Sequence, residues 1–223
     1  MTSVHPNTTT SVATLLRTHH CFLVAAPVFG PPAAAATAQT LIAVAGMPTA
    51  VAVVTPLLEG VLCRGVIHAG SDPAQASLLK ASSNFIAAGL QFLLSEAHVL
   101  AEKAGLPAPV LESLIEQNFG AYAGNTSKRL TSGSYLPAEG EAPNSALELA
   151  MKDVCIGLDV ARSEGVRLEI GELSMSAMQE AKRWGDERGK RLDSHSVFGV
   201  VRGKAGLGYE NAGVRERDGV EEK

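Results

Sequence analysis

Charge, aromatic rings and cysteine are all scarce in this chain of 223 residues. Charged residues make up 19% and the net charge is −4, so no positive field draws the chain to nucleic acid or to an anionic membrane surface. Aromatics at 4% leave little surface on which single-stranded bases could stack. The three cysteines, Cys21, Cys63 and Cys155, lie far apart and form no C-x-x-C pair. That argues against a thiol redox motif or a cysteine zinc site, and fits free buried thiols in a reducing compartment. The histidines are scattered, His195 reads as isolated, and none is spaced with a carboxylate as a metal pair, so no metal is expected.

Between Arg17 and Glu59 there is no Lys, Arg, Asp or Glu. A membrane span needs about 20 continuous apolar residues. Here Pro27, Pro31, Pro32, Pro48 and Pro56 cut the stretch into strand-sized pieces, each proline removing a donor that lipid cannot replace. Buried strands and an Ala-rich helix are the better account, and no membrane partner is expected. The opening MTSVHPNTTT has neither a basic nor an apolar signal region.

Hydrophobic residues at 46% are enough for a substantial core. Thr8–Arg17 is predicted as a helix with Val12, Leu15 and Leu16 on one side. Cys21–Val28, Thr40–Val44 and Gly65–His68 read as short strands, the first buried on both faces, and Met47–Leu58 as a helix. Residues 1–70 therefore alternate strand and helix, the pattern of an α/β sheet. At Gly70-Ser71-Asp72-Pro73 the character changes: Asp72 can cap a helix with Pro73 at its first position. Ala74–Ala104 then has one glycine and no proline, a helix of about 45 Å at 1.5 Å per residue. It is apolar nearly all round, which implies burial inside a domain or between subunits. Further helices are predicted at Pro109–Phe119, Ala146–Glu164 and Leu173–Arg191, with a loop at Thr131–Asn144. The organisation expected is 1–70 as the α/β part, 71–203 as a helical domain and 204–223 as a disordered tail.

Three places could carry chemistry. Lys80 and Asn84 are four apart on one face near the start of the long helix, with Ser83 beside them. A lysine desolvated there has a lowered pKa and can act as general acid or base, with Asn84 orienting it or a substrate hydroxyl. On spacing alone, the same pair is also read as a snorkelling lysine and a solvated asparagine. Ala25–Pro32 runs from a strand into a turn around Gly30, where backbone N–H groups can face an anion. Lys152-Asp153 on a helix reads first as a solvated pair.

In combination these signals resemble the β-hydroxyacid dehydrogenase family, which includes 3-hydroxyisobutyrate dehydrogenase and is related to 6-phosphogluconate dehydrogenase and the imine reductases. The family's D-A-P-V-S-G-G turn is similar to Ala25–Pro31, and its K-x-x-N-N motif to Lys80–Asn84. S-E-A-x-x-L-A-E-K-A-G resembles Ser95–Gly105, the K-D helix Lys152-Asp153, and the final D-x-S-x-V Asp193–Val197. Ser3 falls in a segment resembling the S-T-x-x-P turn that closes the cofactor domain.

The resemblance implies the second half of a Rossmann-type domain followed by an all-α domain like the C-terminal one of 6-phosphogluconate dehydrogenase. It implies hydride transfer between NAD or NADP and an alcohol or carbonyl carbon. Lys80 would be the acid/base, Asn84 would position, and Phe29, Gly30 and Ser83 would line the substrate. Ser3 and Lys152 would touch the cofactor. It further implies a homodimer acting on a small molecule, in the cytoplasm, or in mitochondria if residues precede Met1.

The departures are specific. No G-x-G-x-x-G occurs, so the backbone cradle for a pyrophosphate is missing from these residues and a truncated form is expected. Phe29 stands at the family's serine, Pro31 at its second glycine, Ser83 at its first asparagine, and Ser145 where a phenylalanine is frequent. These changes predict weaker binding of a substrate carboxylate. The competing reading is a non-catalytic dehydrogenase-like dimerisation or binding module.

Overall fold

The computed structural model describes residues 2–219, which contain a small sheet and mostly helices. They divide into two compact units. The first comprises Met1–Phe85 with Asp153–Arg167, the second Ile86–Lys152 with Leu168–Lys223. The division does not follow the 70/71 boundary expected from sequence, because the first turns of the long helix pack with the sheet.

In the first unit, α1 (Pro6–Thr18) is followed by β1 (Val24–Ala25), β2 (Val28–Phe29), α2 (Pro32–Ala36), β3 (Leu41–Gly46), α3 (Pro48–Leu58) and β4 (Gly65–Gly70). The expected strand at Cys21–Val28 is thus two short half-buried strands. Pro27, which has no N–H to give, interrupts them, while its carbonyl accepts from the Ala43 amide at 3.1 Å. Both pieces run antiparallel to β3, and β4 pairs parallel on its other side.

Alternation along β3 builds two cores. Ile42 and Val44 pack with Leu58 and Cys63, joined by Val24 and Val28. Ala43 and Ala45 pack with Ala76 on the opposite face, joined by Ala25, Phe29 and Leu79. The helix α1 forms where expected, burying Thr9 and Ala13 and leaving Val12 and Leu15 exposed. The Thr9 and Ser77 hydroxyls share a buried hydrogen bond of 2.7 Å, so its anchor is polar.

The long helix α4 (Pro73–Lys103) begins as the sequence implies. Asp72 Oδ1 accepts from the Ala74 amide at 2.9 Å, and Gln75 Oε1 accepts in return from the Asp72 amide at 3.2 Å, a reciprocal capping box. Among the described residues α4 is the one helix long and apolar enough to cross a bilayer, a test that core helices also pass. Its apolar side chains are not all buried: Ile86, Leu93 and Leu100 are 63%, 60% and 70% exposed.

The second unit takes the rest of α4, then α5 (Ala108–Thr131), the start of α6 (Leu147–Ser163), α7 (Glu169–Asp186), a 3₁₀ turn (Ser194–Ser196), α8 (Val197–Lys204) and α9 (Ala212–Asp218). The helix expected at Pro109–Phe119 ends there: Gly120, at φ 84° and ψ 172°, is non-helical, and a second helical stretch follows it to Thr131. The tail expected to be disordered is ordered as far as it is described, through residue 219; the rest of it lies outside the described residues. Asn211 explains why. Its carbonyl oxygen caps α9 at the Val214 amide, while its Nδ2 donates to the Leu130 and Thr131 carbonyls that end α5.

Candidate functional site

The site in the first unit is built by strand parity. Phe29 pairs with Leu41, which places its side chain on the sheet face shared with Ala43, Ala45 and Ala76 of α4. A slip of one residue would put Val28 there and turn Phe29 to the other core. Successive carbonyls alternate in direction along a strand. Pro27's points at β3, so Val28's points to the side where no described strand pairs. Lys80, two turns into α4, fills that need: its Nζ donates to the Val28 carbonyl at 2.8 Å. The same Nζ lies over the Phe29 ring, 4.9 Å from its centroid. A carbonyl oxygen and an aromatic face are both favourable neighbours of an ammonium group. Lys80, Ser83 and Asn84 are all half-buried.

The turn after Phe29 is poor in donors. Gly30 adopts φ 138°, and a Cβ there would meet Thr40 Cγ2 at 3.0 Å. Pro31 and Pro32 contribute no N–H, and the Ala34 and Ala35 amides both bond the Pro31 carbonyl. The first turn of α2 carries no side-chain cap. Ser3 is half-buried ahead of α1 in this unit. A cavity of about 220 Å³ in this unit is lined by residues including Ala13, Arg17, Phe22 and Met47, and by none of the candidate residues.

In the second unit Lys152 is exposed on α6. A buried cluster there escaped the sequence reading, and His195 is not isolated. Asp193 caps the 3₁₀ turn and accepts from the His195 amide at 3.0 Å, its Nδ1 at 2.9 Å and the Ser145 amide at 2.8 Å. Arg129 Nη2 stands 2.9 Å from the same carboxylate. Burial alone would raise the Asp193 carboxyl; His195 and Arg129 outweigh it and hold the group below the usual carboxylate range. For His195 burial dominates and pushes the imidazole down. The signal available in the sequence was Asp193 two residues before His195, the spacing of a capped turn.

The cysteines are free, but only Cys63 is buried; Cys21 and Cys155 are exposed. No group of three metal-ligating side chains gathers among the described residues. Ser3 and Lys152 remain the donors expected from the sequence for a dinucleotide, and the described residues offer no glycine-rich strand-to-helix turn for a pyrophosphate. The cofactor is therefore only partly accommodated by these residues.

The architecture is that of the hydroxyacid dehydrogenases. It superposes on a crystal structure of 3-hydroxyisobutyrate dehydrogenase from Salmonella typhimurium with a TM-score of 0.75, at 20% identity, covering 89% of this chain and 67% of that one. Residues 74–201 match the family described as "NAD-binding of NADP-dependent 3-hydroxyisobutyrate dehydrogenase". That is more than half of the chain, and the protein belongs to this family. The relationship expected from the Lys80–Asn84 and Ser95–Gly105 motifs thus holds. Curated relatives include 3-sulfolactaldehyde reductase of Escherichia coli strain K12, 28% identical over 210 residues, covering 93% of this chain and 67% of that protein. An uncharacterized oxidoreductase of Bacillus subtilis strain 168 is 29% identical over 168 residues, covering 74% of this chain and 57% of its own length. The chain thus spans between 57% and 67% of the length of these two relatives.

Proposed function

We propose that the protein is an NAD(P)-dependent oxidoreductase acting between an alcohol and a carbonyl carbon of a small molecule, with Lys80 as its acid/base. The observation that carries this is the placement of Lys80 Nζ, held by the Val28 carbonyl beside the Gly30 turn, with Asn84 one turn further along the same helix face. A bound nicotinamide would supply the hydride chemistry of this reaction class. In reduction Lys80 gives a proton to the oxygen of the reacting carbonyl; in oxidation it takes one from the hydroxyl. The Val28 carbonyl orients the amine between turnovers, and Asn84 positions the reacting oxygen. Gly30 and Ser83 line the substrate beside Phe29. Lys152 and Ser3 would contact the cofactor. The protein acts as a homodimer in the cytoplasm.

Exposure of Ile86, Leu93 and Leu100 at seven-residue intervals on α4 favours the dimer. The same row would serve a purely structural module, the second reading. The test is the absorbance of reduced nicotinamide when purified protein is given millimolar NADH or NADPH and a panel of aldehydes and ketones. Carbonyl-dependent oxidation of the nicotinamide supports the enzyme. Its absence across the panel at saturating cofactor would leave the structural module.

A further inference from the structure

The strongest departure from an anion-binding site is the pairing of Phe29 with Lys80. We infer that the Lys80 site takes a neutral substrate with an apolar, preferably aromatic, group next to the reacting carbon, and that Phe29 is the residue that sets this preference. The inference rests on the dehydrogenase reading only for the word substrate; the binding preference stands without it.

Three observations carry it. First, the cation nearest the turn is already engaged, with Lys80 Nζ on the Val28 carbonyl and over the Phe29 ring. A carboxylate bound there must compete with both. Second, the turn is poorer in donors than a glycine-rich one. Pro31 and Pro32 take away two successive N–H groups, and Ala34 and Ala35 direct theirs to the Pro31 carbonyl. A carboxylate held against such a wall finds fewer donors for its lone pairs, which is costly once water is excluded. Third, the ring is fixed. Its strand register with Leu41 and its packing against Ala43, Ala45 and Ala76 hold it on the α4 face. An apolar substituent meets a surface that needs no reorganisation.

The reactive end of the substrate is still served. An alcohol or carbonyl oxygen needs one partner that can donate or accept a proton, and Lys80 is that partner. The rest of the molecule then meets hydrocarbon and ring. A carbonyl compound with a charged group one carbon away would meet the same hydrocarbon with its charge.

The test is a ligand-observed NMR titration of the full chain with two probes, benzyl alcohol and 3-hydroxyisobutyrate, without cofactor. Wild type is expected to bind benzyl alcohol saturably and at least about tenfold more tightly than the hydroxyacid. F29S should weaken benzyl alcohol about tenfold and leave the acid unchanged or improved. F29L, which keeps the apolar volume, should narrow the gap between the probes without reversing it. Circular dichroism melts check that both variants are folded. Tighter binding of the hydroxyacid to wild type, no saturable binding of benzyl alcohol, or an unchanged preference in both folded variants would overturn the inference. Nicotinamide oxidation is a separate readout. Turnover of hydroxyacids with the wrong binding preference would sink this inference alone, and correct binding preference without turnover would sink the enzyme reading alone.

Discussion

Lys80 and Val28, 52 residues apart, are joined by a hydrogen bond of 2.8 Å from the ammonium to a main-chain carbonyl. Because the acceptor belongs to a strand, the sheet helps to aim the amine. Substitutions at the lysine should therefore act on the chemical step. Proton transfer by a placed group contributes about 10²–10⁴ in rate. Lys80→Ala is expected to lower kcat by about that factor with little change in the KM for nicotinamide. Lys152→Ala, on a separate and exposed helix face, should raise that KM first and spare kcat. Steady-state kinetics with cofactor and carbonyl varied independently read the split, and full turnover by Lys80→Ala would remove the lysine from the mechanism.

Affinity for the dinucleotide is a second point of decision. The pyrophosphate carries most of the charge of NAD(P)H, and helix N-termini with close glycine backbone are its usual host. These 223 residues contain no G-x-G-x-x-G. The purified chain should bind NADH and NADPH with dissociation constants well above the micromolar range. Calorimetric titration checks this, and micromolar binding of either would show that another element holds the phosphates.

How legible was this in the sequence? Where the signal was local, it was sufficient. Asp72-Pro73 announced the start of α4, and Lys80 and Asn84 could be placed on one face from spacing alone. Where partners come from distant segments, spacing was silent. The acceptor for Lys80 is a carbonyl whose direction depends on Pro27 interrupting a strand. His195 looked solitary because its guanidinium neighbour, Arg129, arrives from a different helix. The end of the helix at Phe119 was legible, but the second helical stretch after Gly120, up to Thr131, was not. The tail looked disordered because its polar residues cap other elements and so show no apolar period.

Self-association follows from the exposed face of α4. Three large apolar side chains at positions 86, 93 and 100 share one stripe, and each is at least 60% exposed. Covering a leucine or isoleucine is worth about 1.5–3 kcal/mol. Light scattering at micromolar concentration should report a dimer for the wild type, and Leu93→Glu with Leu100→Glu should report a monomer with native circular dichroism. A monomeric wild type would refute the expectation.

Packing at Gly199 offers a test of the ordered C-terminal segment. A Cβ there would lie 2.4 Å from the Tyr209 ring. That ring stacks on Trp184 at 3.8 Å and 6°, and its hydroxyl donates to the Ser196 carbonyl at 2.9 Å. Gly199→Ala must displace the ring, and overpacking of this kind costs about 1–3 kcal/mol. Trp184 is the only tryptophan in the chain, so its emission reports the stack directly. Lower urea midpoint with changed emission is expected; an unaltered midpoint and spectrum would mean that Tyr209 does not sit on Trp184 in solution.

Acid should destabilise the fold well above the range where carboxylates titrate. His98 is buried, with Nε2 2.6 Å from the Ser127 hydroxyl oxygen, and burial pushes its imidazole below the ordinary value despite Glu112 and Glu102. His195 is pushed the same way by burial, against Asp193. The unfolded chain takes up protons at both residues near pH 6.5 while the folded chain resists them. Stability from these groups is therefore fully present above about pH 6.5 and declines as pH falls towards the lowered folded values. The limiting slope is about 1.4 kcal/mol per pH unit for each proton bound only by the unfolded state. Asp193 acts in a lower window: its carboxyl is held down in the fold, so its contribution is intact above about pH 4 and is lost below. Urea unfolding monitored between about pH 7.5 and about pH 5 should show the midpoint falling with pH. His98→Gln should flatten that fall, since a neutral amide can still meet the Ser127 hydroxyl and cannot take a proton. A midpoint that stays level or rises on acidification would show that neither imidazole is held neutral by the fold.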